Sequence, residues 1–202
     1  MGKLENNKQQ KRTSLLDTAF KLFTTQGVSK TSIAEISQKA GIAKGTFYLY
    51  FKDKYDIKDR LIVHKTSQLF AHAYDCLKTS GLTDVSDKII YIVDHILDEL
   101  ENNKPLLSFI YKDLSWGVFK KTLAFSSATE DIDFRAIYRD ILNESDQKYD
   151  NPEVMLFLII ELTGSAGYSS ILYHDPISLE DLKPHLYQSI RGIIRDHTIS
   201  PI

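Results

Sequence analysis

Proline is absent from the first 100 residues of this 202-residue chain, and its five prolines stand at positions 105, 152, 176, 184 and 201. Because proline breaks helices, this distribution leaves the first half of the chain free to form uninterrupted ones. Apolar residues also recur at helical spacing, as in the series Leu16, Ala19, Phe20 and Phe23. The alternation of apolar and polar residues that half-buried strands require is scarce. The sequence therefore predicts an all-α fold.

Capping signals mark two helices near the start of the chain. We predict the first over residues 9–26, ended by Gly27, because glycine suits the left-handed backbone that closes many helices. Ser32 and Glu35 have the spacing of a capping box, in which the serine side chain accepts a hydrogen bond from the third helical N–H group. A second, short helix is expected to follow Ser32 and to end at Gly41.

A third short helix and a long fourth helix are predicted next. Ile42 and Ala43 form the turn before the third helix, which reaches about Tyr50. The fourth helix begins near Asp53, whose carboxylate can cap it, and continues to residue 77 or 79 before Gly81. We expect this long helix to join an N-terminal head to the rest of the chain.

The predicted head is a three-helix domain formed by residues 1–52, and residues 53–202 form a helical body. In the body, Pro105 suits the first turn of a helix. Pro184 either kinks the last helix or marks its start. Further helices are predicted over residues 85–101, from 105 onwards, and over 132–142, 152–173 and 179–197, with a loop at 122–131.

The stretch GIAKGTFYLYFKDK, residues 41–54, combines aromatic and basic residues. On a helix, Phe47 and Phe51 share an inner face, and the opposite, exposed face carries Lys44, Gly45 and Tyr48. Glycine in a helix costs about 1 kcal/mol of stability relative to alanine. An exposed helical glycine therefore favours a position that another molecule approaches closely.

The charge is divided unevenly along the chain, although the net charge is only −2. Residues 1–60 contain 12 Lys and Arg against 6 Asp and Glu, a net of +6, and the remainder has a net of −8. A basic head on an acidic body is typical of a protein whose head meets a polyanion, although chance clustering of solvated lysines gives the same imbalance.

Two short helices joined by a tight turn, with a third helix behind them, form a helix-turn-helix, whose second helix enters the major groove of DNA. There, Lys44 can reach a base edge or a phosphate, and Tyr48 can offer its hydroxyl to a phosphate. Lys54 can reach the DNA backbone, and Lys11 and Arg12 can add contacts from an N-terminal arm. The head is therefore predicted to bind double-stranded DNA.

The stretch TSIAEISQKAGIAKGTFYLYFKDKYDIKDRL resembles the DNA-binding head of the TetR/AcrR family of transcriptional regulators, and the resemblance covers about residues 10–62. It implies a homodimer on a palindromic operator, acting as a repressor that a small-molecule effector releases. Effector binding would tilt the fourth helix and change the spacing of the two heads. The resemblance implies DNA contacts from Thr31, Ser32, Ile42, Ala43, Lys44, Gly45, Tyr48, Tyr50 and Lys54.

The same resemblance places a dimer interface on the last two helices. Residues 154–162 are apolar nearly all round, and residues 164–167 are small, which allows a crossing helix to approach closely. These residues either pack within one chain or meet a partner chain. The candidate interface residues are Leu158, Leu162, Ser165, Ala166, Ile190 and Ile194.

The middle of the body is rich in aromatic residues, which either form ordinary core or line an apolar ligand cavity with a few polar groups. The resemblance favours a cavity in this region. The candidate ligand-binding residues are Tyr91, His95, Phe109, Tyr111, Trp116 and Phe119.

Catalytic and metal sites are not predicted. The sequence GSAG at 164–167 does not match a nucleophile elbow, and no glycine-rich phosphate loop occurs. His72 and Cys76 stand at i, i+4 and could share a metal ion, but a third ligand is not evident in the sequence. A histidine packed near a thiol is therefore the favoured interpretation, and no cofactor is expected.

The sequence thus predicts a DNA-binding transcriptional regulator, not an enzyme, with DNA, an effector and a second copy as partners. The alternative is a helical ligand-binding or adaptor protein whose basic head binds a protein partner. The single cysteine, the polar N-terminus and the lack of a predicted membrane span favour a cytoplasmic location.

Overall fold

The structure is a computed structural model that describes residues 3–111 and 134–199, and the side chains of residues 6–111 and 136–199. These residues form helices almost throughout, which confirms the all-α prediction. The chain comprises two compact units, Met1–His64 and Lys65–Ile202.

The first unit contains three helices and the start of a fourth. They are α1 (Lys3–Gln26), α2 (Ile33–Lys39), α3 (Lys44–Phe47) and α4 (Lys54–Lys78). The first helix begins six residues earlier than predicted, because its polar N-terminal turns carry no apolar periodicity. The third ends at Phe47, and hydrogen-bonded turns continue to Tyr50 and Phe51.

Ser32 caps α2 as predicted, since its Oγ atom accepts a hydrogen bond from the backbone N–H of Glu35 at 3.1 Å. The Glu35 carboxylate forms a salt bridge with Lys39 at 3.1 Å and accepts a hydrogen bond from Gln26 Nε2 at 2.8 Å. The hydrogen bonds from Lys39 and Gln26 lower the pKa of Glu35. The carboxylate therefore ties α2 to the end of α1.

Asp53 caps α4, as the sequence predicts. Its Oδ1 atom accepts from the backbone N–H groups of Asp56 at 2.9 Å and Tyr55 at 2.8 Å. These two bonds lower the pKa of Asp53. Two of the four N–H groups that a helix leaves unpaired at its start are satisfied in this way.

The core of the first unit lies beneath α3. Phe47 and Phe51 are 0% and 1% exposed, and their ring centroids lie 5.6 Å apart. They pack in a unit whose other buried residues include Leu15, Leu16, Ala19, Ile36, Ile57 and Leu61. The predicted inner face of the aromatic stretch is confirmed, and its burial fixes which side chains α3 turns outward.

The second unit contains the remainder of α4 and five further helices among its described residues. They are α5 (Val85–Asn102), α6 (Lys104–Ile110), α7 (Phe134–Asn143), α8 (Pro152–Tyr173) and α9 (Leu179–His197). Two short strands, β1 (Lys148–Tyr149) and β2 (Thr198–Ile199), pair antiparallel. The predicted loop at 122–131 lies outside the described residues.

Helix α5 forms the centre of the second unit and packs against α6, α7, α8 and α9. Where α8 meets α5, a Cβ atom added to Gly167 would lie 2.6 Å from Cδ2 of Leu97. This glycine therefore serves a close contact inside the chain. The small residues at 164–167 suggested close approach by a helix of a partner chain. At Gly167 the helix that approaches is α5 of the same chain.

The last helix begins at Leu179, with Ser178 as its cap and Pro184 in its interior. The Oγ atom of Ser178 accepts from the backbone N–H of Asp181 at 3.2 Å. Pro184 therefore does not mark the start of α9.

Helix α8 is the one helix in the described part of the chain that is long and apolar enough, by length and composition, to cross a membrane. The sequence predicts no such span. Length and composition are weak evidence, since core helices of globular proteins meet the same criteria, and α8 packs against α9, α5 and α6.

Candidate nucleic-acid interface and ligand cavity

A surface groove of the first unit brings together residues from the start of α2, from α3 and from the start of α4. Five of the predicted DNA-binding residues line it, namely Thr31, Ser32, Lys44, Tyr48 and Lys54. It holds three lysines and one carboxylate, that of Asp53, which caps α4. The groove is therefore basic and suits a polyanion.

The outer face of α3 presents its functional groups to solvent. Lys44 is exposed, and Tyr48 is 52% exposed with its ring edge-on to Phe47 at 5.6 Å. The ring of Tyr48 packs against the buried Phe47, and both Lys44 and Tyr48 remain accessible at the surface. This pair can offer one cation and one hydroxyl to a phosphate or a base edge.

Gly45 lies between them on the exposed face, and a Cβ atom added there would meet no atom within 4 Å. The packing of the chain itself therefore does not require glycine at this position. The open space at Gly45 is available to an approaching molecule.

The sequence suggests that the Lys54 ammonium group is available to bind a DNA phosphate, but the structure shows it bonded within the chain. Its Nζ atom donates to the backbone carbonyl oxygens of Val28 at 3.0 Å, Ser29 at 3.2 Å and Thr31 at 3.2 Å. An ammonium group has three N–H donors, so these bonds engage all of them. Lys54 contributes positive charge to the groove while it holds the loop between α1 and α2.

Thr31 is also committed within the chain, because it is 2% exposed and its hydroxyl donates to the carbonyl oxygen of Gly27 at 2.8 Å. Of the remaining predicted residues, Ala43 is exposed, and Ile42 and Tyr50 are half-buried. Those three do not line the groove.

The structure adds residues that sequence reasoning missed. Ser29, Lys30 and Tyr55 line the groove, and Tyr55 is 60% exposed. Leu49, next to Tyr48, is 78% exposed, which is unusual for a leucine and leaves its side chain available for apolar contact with a thymine methyl group. The signal for Leu49 was present in the sequence, since it stands on the outer side of the aromatic run.

Lys11 and Arg12 lie within α1, so they do not belong to an extended arm. Lys11 is exposed and Arg12 is half-buried.

The second unit encloses an apolar cavity of about 130 Å³. Its described walls come from α4, α5, α6, α7 and α8, and are mostly aliphatic, including Ile92, Val93, Leu97, Ile137, Ile159 and Ile171. Two hydroxyls in the walls, Oγ1 of Thr66 and Oγ1 of Thr163, are buried and have no hydrogen-bond partner among the described residues. Such groups can accept or donate a bond to a ligand.

The predicted ligand residues that the structure describes do not line these walls. Tyr91, His95, Phe109 and Tyr111 are described and are absent from the lining, although Tyr111 stacks on Tyr168, which lines the cavity. Trp116 and Phe119 lie outside the described residues. The aliphatic face of α5 forms the main wall of the cavity, and the candidate aromatic residues that the structure describes lie elsewhere.

The candidate dimer residues separate into two groups. On α8, Leu158 is 38% exposed, Ser165 is exposed, and Leu162 and Ala166 are half-buried. On α9, Ile190 and Ile194 are 0% and 3% exposed, because they point into the core of their own chain. Of the two groups, only the residues on α8 are accessible to a partner chain.

Comparison with known proteins agrees with this geometry. Residues 15–61 match the family model for bacterial regulatory proteins of the tetR family. The chain is 46% identical over 55 residues to the HTH-type transcriptional regulator AcrR of Shigella flexneri. The aligned segment covers 27% of this chain and 26% of AcrR. It is 26% identical over 155 residues to the HTH-type transcriptional repressor KstR2 of Rhodococcus jostii, covering 66% and 76% of the two chains.

The fold extends beyond the matched head. The transcriptional regulator FadR from Bacillus subtilis, solved in complex with stearoyl-CoA, superposes with a TM-score of 0.65 at 18% identity. That superposition covers 88% of this chain and 96% of FadR, and at this identity it shows a shared fold alone. The chain therefore carries, at residues 15–61, the DNA-binding helix-turn-helix domain of the tetR family of bacterial regulatory proteins, and it shares the fold of FadR over most of its length.

Proposed function

We propose that this protein is a cytoplasmic repressor that binds a palindromic operator as a homodimer and leaves it when an apolar small molecule enters the body. The observation that carries the proposal is the basic groove, where Ser32, Lys44 and Tyr48 converge from two helices of a helix-turn-helix. An α-helix fits the major groove of DNA, and flanking cations contact the backbone. In this account the head corresponds to the predicted domain of residues 1–52.

The cavity supports an apolar effector. Its walls are aliphatic, and the unpaired hydroxyls of Thr66 and Thr163 provide for a ligand that carries one polar group. A buried hydroxyl without a partner costs about 1–3 kcal/mol, so a ligand that pairs with it gains affinity. The stearoyl-CoA complex of FadR favours a long-chain acyl compound as the first class to try.

Helix α4 supports coupling between ligand and DNA. Lys54, at its start, lies in the basic groove, and Thr66 and Phe70, further along, lie in the walls of the cavity. A ligand that displaces the second part of α4 would act on the same helix that supports the groove. Only a ligand that binds the two states with different affinity can shift their populations.

Dimerisation is proposed through the exposed face of α8. Leu158, Ser165 and the half-buried Leu162 and Ala166 lie on it, with Val154 47% exposed one turn earlier. A two-fold pair of chains would present two recognition helices about 34 Å apart, one turn of DNA.

The test is a binding series with labelled duplexes tiled across the region upstream of the protein's own coding sequence, read by fluorescence anisotropy. We expect one duplex to bind at least about a thousandfold more tightly than a shuffled duplex of the same composition. Added acyl-CoA should then release it. Equal binding to every duplex would contradict the repressor proposal, and tight binding that no acyl compound changes would contradict the proposed effector class.

A further inference from the structure

A cluster of metal-ligating side chains lies in the second unit, apart from the groove and from the cavity walls. His72 and Cys76 stand one turn apart on α4, and His95 faces them from α5. One ligand atom from each residue lies within 4.8 Å of the other two. The sequence shows the first pair, but the third member is distant in the chain and only the packing of α5 supplies it.

The two imidazoles are already at a separation that suits one ion. Nε2 of His95 lies 3.3 Å from Nδ1 of His72, with the ring centroids 4.8 Å apart and the planes at 70°. Two nitrogens bound to one tetrahedral zinc ion, each at about 2.05 Å, lie about 3.3 Å apart. Neither ring therefore has to move far to share an ion.

A fourth donor lies beside His72, at the edge of this cluster of three. Oε2 of Glu99 lies 3.3 Å from the same Nδ1 atom of His72. His95 and Glu99 are four residues apart on α5, as His72 and Cys76 are on α4, so each helix presents two donors from adjacent turns of one face. Two helices that each supply a pair of side chains are a common way to build a metal site between helices.

The surroundings fit a site that an ion can enter and that holds its ligands in place. The side chains of His72 and Glu99 are 63% and 39% exposed, which leaves a path from solvent. Cys76 and His95 are half-buried. The ring of Tyr91 stacks on His95 with the planes at 17°, which restricts the rotation of that imidazole. Orientation of a ligand by its neighbours raises metal affinity.

We propose that His72, Cys76, His95 and Glu99 form a binding site for Zn²⁺, with the sulfur, two nitrogens and one oxygen as its four ligands. Thiolate and imidazole donors in a tetrahedral set favour zinc over Mg²⁺ and Ca²⁺, which take oxygen ligands. The bound ion joins α4 to α5. This inference does not depend on the proposed repressor function, since it rests on the four side chains alone.

The experiment is a titration of the metal-free, reduced full-length protein with Co²⁺ and then with Zn²⁺. Cobalt is a spectroscopic substitute for zinc whose visible bands report tetrahedral geometry, and whose thiolate charge-transfer band reports a bond to sulfur. We expect one Co²⁺ ion per chain, with both signals, and displacement by an equal amount of Zn²⁺. Isothermal titration with Zn²⁺ gives the affinity of each variant.

The variants assign the ligands. His95→Ala and Cys76→Ser should weaken zinc binding by more than about a hundredfold, and Glu99→Gln by about 10–100-fold. His185→Ala is the matched control, because His185 is an exposed histidine on α9 outside the cluster. It should leave the affinity unchanged. Circular dichroism confirms that each variant keeps its helical content.

Stoichiometric binding without a thiolate band, or equal affinity in wild type, His95→Ala and Cys76→Ser, would overturn the site. So would the absence of any cobalt spectrum in the folded wild type. A zinc-induced rise in melting temperature that Cys76→Ser abolishes, and that His185→Ala keeps, would support it independently of the spectra.

Discussion

The Nζ atom of Lys54 lies 3.0 Å from the carbonyl oxygen of Val28, and the same ammonium reaches two further carbonyls of the loop between α1 and α2. Lys54→Met keeps most of the side-chain length and removes these bonds. We expect it to destabilise the protein by about 1–2 kcal/mol, since hydrogen bonds from charged groups are stronger than neutral ones. Urea denaturation measures the change.

Lys52→Met is the control, because Lys52 is an exposed lysine two residues earlier. Equal stability of the two variants would show that the Lys54 bonds contribute nothing and that its role is confined to DNA.

Gly45→Ala separates folding from DNA binding. The space at Gly45 is open, so an added methyl group meets no atom of the chain and should stabilise α3 by up to about 1 kcal/mol. The same methyl group lies on the face that we propose binds DNA, and we expect at least a tenfold loss of affinity. Thermal denaturation and DNA titration of the same preparation test both statements. Unchanged affinity would place DNA away from this face.

Thr163→Val removes a buried hydroxyl that has no partner in the described structure. Valine has nearly the same shape, so the ligand-free protein should become more stable by about 1 kcal/mol, because the desolvation cost of the hydroxyl disappears. Differential scanning calorimetry of the variant beside Thr163→Ser, which keeps the hydroxyl, measures this. A lower melting temperature for Thr163→Val than for Thr163→Ser would indicate that the hydroxyl is satisfied in solution.

The Asp94 carboxylate links α5 to α9, because it pairs with Lys183 at 2.6 Å and accepts a hydrogen bond from Tyr187. Burial raises the pKa of Asp94, but the bonds from Lys183 and Tyr187 lower it more, and the net pKa lies below its ordinary value. A lowered carboxyl pKa stabilises the fold above the unfolded value of about 3.9, and the contribution is lost as the pH falls through the folded value.

Asp94→Asn should therefore lower stability at pH 7 and have a smaller effect at pH 3. The Asp94 side chain is 41% exposed, so water screens the pair and the loss should be below about 1 kcal/mol. Glu101→Gln, at an exposed position of the same helix, is the control. Urea denaturation at both pH values gives the two differences, and an equal loss at pH 3 and pH 7 would rule out the carboxylate charge as its cause.

The head was predictable because its signals are local. Ser32 and Asp53 cap the helices that follow them, and Phe47 and Phe51 reveal the buried face by their spacing of four. Each of these signals involves residues a few positions apart. What the sequence could not show is that Lys54 turns back to the carbonyl of Val28, 26 positions earlier, since that contact exists only after the helices pack.

The body was predictable in its helices and much less in its sites. The aliphatic wall of α5 and the hydroxyls of Thr66 and Thr163 become a cavity only when α4, α5 and α8 meet. For the same reason His95 could not be assigned as the third member of the cluster with His72. Composition favoured the aromatic residues, but the cavity is formed where side chains fail to fill the space between helices, which no local pattern encodes.

The central claim is that the outer face of α3 reads DNA, and the salt dependence of binding tests it most directly. Wild type, Lys44→Ala, Tyr48→Ala and the control Lys104→Ala, an exposed lysine of α6, are titrated with the preferred duplex at several salt concentrations. We predict steep weakening with salt for wild type and Lys104→Ala, and for Lys44→Ala a slope reduced by about 0.9, the contribution of one phosphate contact. Tyr48→Ala should lose affinity at every concentration. If Lys44→Ala and Tyr48→Ala both match wild type in affinity and slope, the groove beside α3 is not the surface that binds DNA.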